Sequence, residues 1–313
     1  MALDVRITEP NGQYHFQVWT QGDPHQPWLV FLHGFLGDRF EFREVIANLC
    51  ADFFCVALDL PGHGQTIVSP TLPPAQTYSM ASTAAGVMGC LAKLQAMLFP
   101  AAAEPSESNL ISPRLHKIRL VGYSMGGRLG LYLLLKFPQA FAGGLIESAS
   151  PGLATPTERS LRLQQDQNRA RKLERLTPEE FQQFLQQWYR NPLFQGLPEH
   201  PHYPALLQQR QRGNPQHLAQ SLRYLGLGAQ PSLWLDLSQT TIPLTFVVGA
   251  WDHKFVHLNQ TMNDRCPTAR LNVISGVSHN AHLGDPAQFI YITRSIFLAE
   301  HGGDLNSNDR QEL

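Results

Sequence analysis

The chain has 313 residues, of which 43% are hydrophobic and 16% are charged, and its formal net charge is −1. This length allows one large α/β domain with an insertion, or two modest domains. A charge so close to zero gives no field that would attract nucleic acid or an anionic membrane, and no apolar run reaches the length of a transmembrane helix. We therefore expect neither nucleic acid nor a membrane as a partner.

The N-terminal residues and the cysteines indicate the cellular compartment of the protein. The start, "MALDVRITEP", lacks the basic segment and the apolar stretch of a secretory signal. The four cysteines form no CxxC pair and no zinc-like spacing, which favours reduced thiols. We predict a cytoplasmic protein without a metal site.

Short apolar runs that end in glycine-rich turns predict buried strands. "WLVFL" ends in "HGFLGD" and is followed by a helical "EFREVIANL", and "FFCVALDL" ends in "PGHG". Further on, "IRLVG" leads into a turn at Ser124, a helical "GRLGLYLLLKF" stops before Pro138, and "GGLIESAS" predicts another strand. Because strands alternate with helices, we predict a mostly parallel central sheet with helices on both faces.

Two segments differ from this pattern. The stretch between Pro100 and Pro113 is rich in Pro, Ser and Ala and predicts a surface loop. Over residues 151–238, strand-like runs disappear and helical spacing replaces them. Thr177 and Glu180 fit a capping box, after which apolar residues follow at helical spacing. We predict that residues 151–238 form a helical lid.

The last predicted core elements are two strands and a helix. The strands are "LTFVVGAWD" and "RLNVISGVSH", the helix covers about 286–298, and a polar tail at 301–313 is predicted to be flexible. The predicted α/β core thus consists of residues 1–150 and 239–300. The lid interrupts this core before the strand that ends near Asp252.

Ser124 is the central residue of the motif Gly122-Tyr123-Ser124-Met125-Gly126. This motif is informative where a strand enters it and a helix leaves it, because the sharp turn needs glycines beside the serine. A serine hydroxyl becomes reactive when a histidine, oriented by a carboxylate, can take its proton. Asp252 and His279 follow the next two strands in the order Ser, Asp, His, and we predict that they are the acid and the base. The alternatives are a helix-capping carboxylate and a surface histidine.

Other histidines fit the role of base less well. His33 and His63 lie in glycine turns upstream of the serine, where they are expected to support the loops. His282 follows His279 by three residues and could suggest a metal pair, but no carboxylate or cysteine stands at motif spacing. We therefore keep His279 as the predicted base.

The turn "HGFLGD" after the first predicted strand offers backbone N–H groups to a developing oxyanion. We predict that Phe35 or Leu36, together with Met125, form this oxyanion hole. The alternative is a tight glycine turn that binds nothing.

With these motifs in place, the chain resembles the α/β-hydrolase family over nearly its whole length. More narrowly, it is similar to the family of 2-succinyl-6-hydroxy-2,4-cyclohexadiene-1-carboxylate (SHCHC) synthases of menaquinone and phylloquinone biosynthesis. The narrower resemblance rests on several motifs, some of them in the predicted lid: "LHGFLGD", "DLPGHG", "VGYSMGGR", "SPGL", "WYRNPLF", "RQRGN", "AQPSL", "WDHKF" and "SHNAH".

This resemblance implies an α/β-hydrolase fold that catalyses an elimination. Members of the family remove pyruvate from 2-succinyl-5-enolpyruvyl-6-hydroxy-3-cyclohexene-1-carboxylate (SEPHCHC). Ser124, activated by His279 and Asp252, would take the ring proton next to the succinyl carbonyl. The enolate would then lie in the oxyanion hole. No cofactor is implied, because proton abstraction and elimination change no oxidation state.

The substrate of this family has three carboxylates, so several fixed cations should face one pocket. Arg128, Arg162 and Arg210 match the family's carboxylate-binding arginines. Tyr123 and Trp188 match substrate-contacting positions, although the spacing of Trp188 equally suits the lid core. Four other arginines are predicted to be surface charges: Arg159, Arg169, Arg171 and Arg175.

The chain departs from the family pattern in two places. Ser278 stands where relatives usually have glycine, and the stretch from Pro100 to Pro113 is longer than in the compact bacterial form.

Two other functions are compatible with a serine motif of this kind. An esterase or carbon–carbon bond hydrolase would use Ser124 as a nucleophile and would need no group of arginines. A catalytically silent small-molecule binding module would usually have lost a triad residue.

Overall fold

The computed structural model describes residues 2–100 and 117–299. Within these residues, the centre of the molecule is a nine-stranded sheet in the order β1-β2-β4-β3-β6-β7-β8-β9, with β5 beside β2. The six strands from β4 to β9 along this order pair in parallel, whereas β2 is antiparallel to β1, β4 and β5. The predicted mostly parallel sheet is confirmed. The strands are β1 (Ala2–Thr8), β2 (Tyr14–Gln21), β3 (Trp28–Leu32), β4 (Phe54–Leu58), β5 (Ile67–Val68), β6 (Ile118–Tyr123), β7 (Phe141–Glu147), β8 (Leu244–Gly249) and β9 (Ala269–Ile274).

Helices cover both faces of this sheet, as the alternation along β3 shows. Val30 and Leu32 pack into the cluster that includes α3 and α4, and Leu29 and Phe31 pack into the cluster with α1 and α12. A continuous apolar run of this kind is typical of a parallel strand covered on both sides. The helices are α1 (Arg43–Leu49), α2 (Pro74–Thr77), α3 (Met80–Leu98), α4 (Met125–Lys136), α5 (Pro156–Leu173), α6 (Pro178–Tyr189), α7 (Tyr203–Arg210), α8 (Pro215–Leu225), α9 (Trp234–Gln239), α10 (His253–Arg265), α11 (Ala281–Gly284) and α12 (Pro286–Ala299).

The antiparallel pair β1 and β2 has no counterpart among the predicted strands. Its signal is nevertheless present, because Tyr14, Phe16 and Val18 alternate along β2 and are all fully buried. Such a two-residue period is typical of a strand with one face on the core. The pair extends the sheet on the side away from Ser124.

Helices α5 to α9 stand between β7 and β8, in the region predicted as the lid. The predicted capping box is confirmed, since Glu180 N–H donates to Thr177 Oγ1 at 3.2 Å and Thr177 N–H donates to the Glu180 carboxylate at 2.8 Å. Helices α5, α6 and α8 bury a small core of their own, which Leu36 of the main domain joins. We call residues 151–238 the helical insertion. Its exact boundaries and its action as a lid stay predictions.

Two predicted segments lie outside the described residues: the loop that follows Pro100, and the tail at 301–313. Within the described ranges, no helix is both long and apolar enough to cross a membrane. The cytoplasmic location stays a prediction.

Candidate active site

Ser124 occupies a sharp, strained turn between β6 and α4. Its φ of 50° and ψ of −107° lie in a region that side chains other than glycine rarely adopt. A Cβ on Gly126 would lie 2.1 Å from the Leu32 carbonyl oxygen, and one on Gly122 would lie 2.7 Å from the Gly126 oxygen. The two glycines therefore allow the backbone to close around the serine, and the predicted strand–turn–helix context is confirmed.

The three side chains predicted as a triad meet beyond the carboxyl ends of the parallel strands. His279 Nε2 lies 3.0 Å from Ser124 Oγ, and His279 Nδ1 lies 2.6 Å from Asp252 Oδ2. The other Asp252 oxygen accepts the Phe255 N–H at 3.2 Å, so Asp252 also caps α10. Because the cap fixes the carboxylate and the carboxylate orients the imidazole, the arrangement can take the proton of the serine hydroxyl.

The loop of His279 is held by aromatic rings and by the helical insertion. Phe255 and Phe194 approach the imidazole edge-on, with ring centroids 4.7 and 5.7 Å away, and the His279 N–H donates to the Leu193 oxygen at 3.2 Å. Ser278 is not among the described non-glycine residues with positive φ, so its side chain adds no backbone strain. The departure from glycine at this position is therefore compatible with the loop.

The turn after β3 passes directly over the serine. A Cβ on Gly34 would lie 3.6 Å from the Ser124 Cβ, and Leu36 has a φ of 71°. Met125 is the first residue of α4, where a backbone N–H has no acceptor inside the helix. Phe35 and Met125 line the cavity beside the serine, while the Leu36 side chain packs into the helical insertion. The oxyanion role of these three amides stays a prediction.

A cavity of about 730 Å³ opens beside Ser124 and His279, between the sheet and the helical insertion. Its aromatic wall includes Phe35 and Trp188, whose rings are 5.5 Å apart. Trp188 also packs on Phe184 at 5.7 Å, so it belongs to both the cavity and the core of the insertion. Among the described residues that line the cavity, Asp252 is the only carboxylate, whereas four cationic side chains line it: Arg128, Arg162, Arg169 and Lys254.

Arg128 lies one helical turn after Ser124, and its partner is an uncharged amide. Its Nη1 donates to Gln230 Oε1 at 3.0 Å, and Gln230 Nε2 in turn donates to the Ser150 oxygen at 3.1 Å. Burial lowers the pKa of Arg128 to about 10, and the charge of Arg162 acts in the same direction. Arg128 remains charged at neutral pH and forms no ion pair with any carboxylate of the described chain. It is therefore available to an anionic ligand.

Arg162 and Arg169 share one buried carboxylate. Asp166 Oδ1 lies 2.7 Å from Arg162 Nε and 3.8 Å from Arg169 Nη1, and Asp166 Oδ2 accepts the Gly228 N–H. Arg169 is exposed, as predicted, but it also lines the cavity. The missed signal is its spacing of seven residues, or two helical turns, from Arg162.

The structure does not bring Arg210 and Tyr123 to the cavity, although both were predicted to contact substrate. Arg210 is 3% exposed, and its Nη2 donates to both oxygens of Glu41, at 2.5 and 2.6 Å. Tyr123 is buried against the rings of His279 and His282. The physical reason for the placement of Arg210 is Glu41, which neutralises the guanidinium and which the sequence patterns did not single out. Substrate contact by Arg210 and Tyr123 stays a prediction.

Comparisons with known proteins agree with this geometry. The model of the alpha/beta hydrolase family matches residues 29–290. The SHCHC synthase of Serratia proteamaculans (strain 568) is 34% identical over 90% of this chain and 97% of its own length. Protein PHYLLO, chloroplastic, of Arabidopsis thaliana is 28% identical over 91% of this chain, which matches 16% of that protein. MenH from S. aureus has a TM-score of 0.77 and 27% identity, and the match covers 92% of this chain and 99% of that one. The chain belongs to the α/β-hydrolase family and, within it, to the family of the SHCHC synthases.

Proposed function

We propose that this protein is a carbon–oxygen lyase of menaquinone or phylloquinone biosynthesis, which eliminates pyruvate from SEPHCHC to give SHCHC. The observation that carries the proposal is a Ser–His–Asp triad opening on the same cavity as Arg128, a half-buried cation with an uncharged partner. Membership of the SHCHC synthase family supports the choice of substrate.

In the proposed mechanism, Ser124 Oγ is the base and forms no covalent intermediate. It takes the ring proton next to the succinyl carbonyl while its own proton passes to His279 Nε2, and Asp252 stabilises the imidazolium. The electron pair of the broken C–H bond moves into an enolate. The N–H groups of Met125 and of Phe35 or Leu36 stabilise its oxygen.

The second half of the reaction breaks the carbon–oxygen bond. As the enolate collapses, its electrons form the C2=C3 double bond, the electrons of the existing C3=C4 double bond shift to C4=C5, and the C–O bond to the enolpyruvyl group at C5 breaks. The leaving pyruvate enolate takes up the proton held by His279 and departs as pyruvate. This sequence needs neither water nor an oxidant, so the triad residues and the amides supply all the groups involved.

The cations of the cavity suit a substrate with three carboxylates. Arg128 brings a full charge, and Arg162 and Arg169 together bring two charges against the one of Asp166. Lys254 adds another charge at the start of α10. An esterase or a carbon–carbon bond hydrolase acting on a neutral substrate would leave these cations without a role, which is why elimination is favoured over hydrolysis.

The test is to follow pyruvate release and the absorbance of the conjugated diene when the protein meets freshly generated SEPHCHC, with Ser124→Ala as the comparison. We expect release far above spontaneous decay from the wild type, and a loss of a thousandfold or more in the variant. A simple p-nitrophenyl ester serves as the control substrate. Failure to exceed spontaneous decay, combined with rapid ester turnover, would overturn the proposal in favour of a hydrolase.

A further inference from the structure

Four buried, charged side chains form a continuous chain behind the cavity. They are Glu147 at the end of β7, His282 in α11, Glu41 before α1, and Arg210 at the end of α7, and each is at most 6% exposed. None of them lines the cavity, and the mechanism above uses none of them. We call these four residues the buried charge chain.

The contacts within the buried charge chain alternate in sign. His282 Nδ1 lies 2.8 Å from Glu147 Oε2, and the His282 backbone N–H donates to Glu147 Oε1 at 3.0 Å. On its other side, His282 Nε2 lies 3.4 Å from Glu41 Oε1, close enough for an ion pair. Glu41 then accepts both hydrogen bonds from Arg210 Nη2. Two carboxylates facing two cations keep this buried group close to neutral, which such a site requires.

Each member of the chain on the main domain touches a segment that carries catalytic groups. The Glu147 backbone oxygen accepts the N–H of Ser124 at 2.9 Å. His282 follows His279 by three residues in the same loop. The Glu41 carboxylate packs on the turn predicted to form the oxyanion hole, since a Cβ on Gly37 would lie 2.3 Å from it.

The other end of the buried charge chain belongs to the helical insertion. Arg210 lies on α7, and its Nε donates to Tyr189 Oη on α6 at 3.0 Å. The guanidinium donates to Glu41 through Nη2 and to Tyr189 through Nε at the same time, whereas a lysine has one nitrogen for both partners. Arg210 therefore joins two helices of the insertion to the three segments around Ser124.

We propose that Arg210, Glu41 and His282 are positioning residues, which hold the helical insertion against the serine turn, the histidine loop and the oxyanion turn without contacting substrate. The link to turnover rests on the proposed function, whereas the effect on the serine itself does not. Loss of the Arg210 contact would leave Glu41 buried and in excess, and the segments around Ser124 would lose their common support.

The experiment is a double-mutant cycle of Glu41→Gln, Arg210→Met and the two together, with Arg212→Met as the matched control. Arg212 is exposed and lies just beyond the same helix. Two quantities are measured: kcat and KM for pyruvate elimination, and the rate at which an uncharged alkyl fluorophosphonate labels Ser124. The labelling rate measures the reactivity of Ser124 and its base, and the probe carries no carboxylate.

We expect Arg210→Met to lower both kcat and the labelling rate at least tenfold, with KM changed less than threefold. The double variant should recover part of both rates, because no excess carboxylate remains buried, and Arg212→Met should match the wild type. Arg210→Lys, which keeps the charge and loses the separate Nε donor to Tyr189, should lie between Arg210→Met and the wild type. All rates are measured well below the unfolding temperature of each variant, so that fully folded protein is compared.

Two results would overturn the proposal. The Arg210 Nη1 group is buried and, within the described part of the chain, has no hydrogen-bond partner. If it contacts substrate instead, Arg210→Met will raise KM tenfold or more at unchanged labelling, and Glu41→Gln will lower KM. Variants with reduced thermal stability but wild-type kcat and labelling would show a role in folding alone. If the wild type eliminates no pyruvate, the labelling arm still decides the positioning role, so the two proposals fail separately.

Discussion

Arg128 is a half-buried arginine and Arg210 is a fully buried one, and their surroundings give them opposite properties. Arg128 faces the cavity with the amide of Gln230 as its partner, and burial lowers its pKa to about 10. Arg210 lies behind the cavity, where the carboxylate of Glu41 outweighs burial and raises its pKa. The comparison shows that the partner of an arginine, more than its place in a motif, decides whether its charge can bind a ligand.

The energetic cost of binding a substrate carboxylate differs accordingly. To bind one, Arg128 gives up a hydrogen bond to an amide, which contributes about 1 kcal/mol. Arg210 would have to leave two buried carboxylates, Glu41 and Glu147, with the single charge of His282, at a cost of about 3–5 kcal/mol. A substrate carboxylate repays the first cost with ease and the second only in part, so Arg128 is the better anion site.

The largest expected effect is that of Arg128→Met. Removal of the cavity arginine whose partner is an uncharged amide should raise KM for SEPHCHC by roughly a hundredfold to a thousandfold, since charge-assisted contacts of this kind contribute about 3–4 kcal/mol when desolvated. Steady-state kinetics of pyruvate release measures the change. Arg171→Met is the control, because Arg171 is exposed, does not line the cavity and should leave KM unchanged. Equal effects of the two variants would contradict the anion site at Arg128.

The second effect concerns stability and the buried charge chain. Burial opposes the charged form of His282, but Glu147 and Glu41 raise its pKa to about 9, above the ordinary 6.5. The stabilisation from this group is therefore complete below pH 6.5 and is lost as the pH rises through about 9. The expected loss in the free energy of unfolding is roughly 3 kcal/mol, since one pKa unit corresponds to about 1.4 kcal/mol.

Urea unfolding at pH values from 6 to 10 measures this loss. His282→Gln should be less stable than the wild type at pH 6 and should show a much flatter dependence up to pH 10. A variant with the full wild-type slope would assign the pH dependence to other groups. No comparable loss is expected from Arg128, which carries no ion pair with the described carboxylates.

The sequence predicted the catalytic residues and the arginine that face the cavity, and it missed the ion pair of Arg210 behind the cavity. The triad could be predicted because Ser124, Asp252 and His279 each follow a strand, and parallel strands end at one edge of the sheet. Arg128 could be predicted because it follows Ser124 by four residues, which is about one helical turn. These relations are local, so the spacing along the chain carries them.

The pairing of Arg210 is not local, since 169 residues separate it from Glu41. Glu41 begins the predicted helical run "EFREVIANL", where a carboxylate fits an ordinary surface helix, and nothing in its spacing marks a buried ion pair. Arg169 differs from Arg210, because its spacing of two helical turns from Arg162 is local and is sufficient to predict that both side chains face the cavity. Long-range pairing therefore limits the prediction of roles, even where the motif positions are right.

The smallest effect gives the sharpest test of the comparison, because Gln230→Glu converts the surroundings of Arg128 into those of Arg210. The new carboxylate would lie where the amide oxygen now stands, 3.0 Å from Arg128 Nη1, and would compete with the substrate. We expect KM to rise about tenfold to thirtyfold, or about 1.4–2 kcal/mol, with a smaller change in kcat. Inhibition by succinate should weaken in parallel, which measures anion binding without turnover.

Gln230→Met separates the charge of the new side chain from the loss of the old hydrogen bonds. Gln230 is fixed by its contact with the Ser150 oxygen, so the methionine variant loses the orientation of Arg128 but leaves its charge free. Its KM should therefore rise less than threefold, well below that of Gln230→Glu. If both variants raise KM equally, the amide acts by holding Arg128 in place. If only the glutamate does so, an uncharged partner is what keeps this arginine available to the substrate.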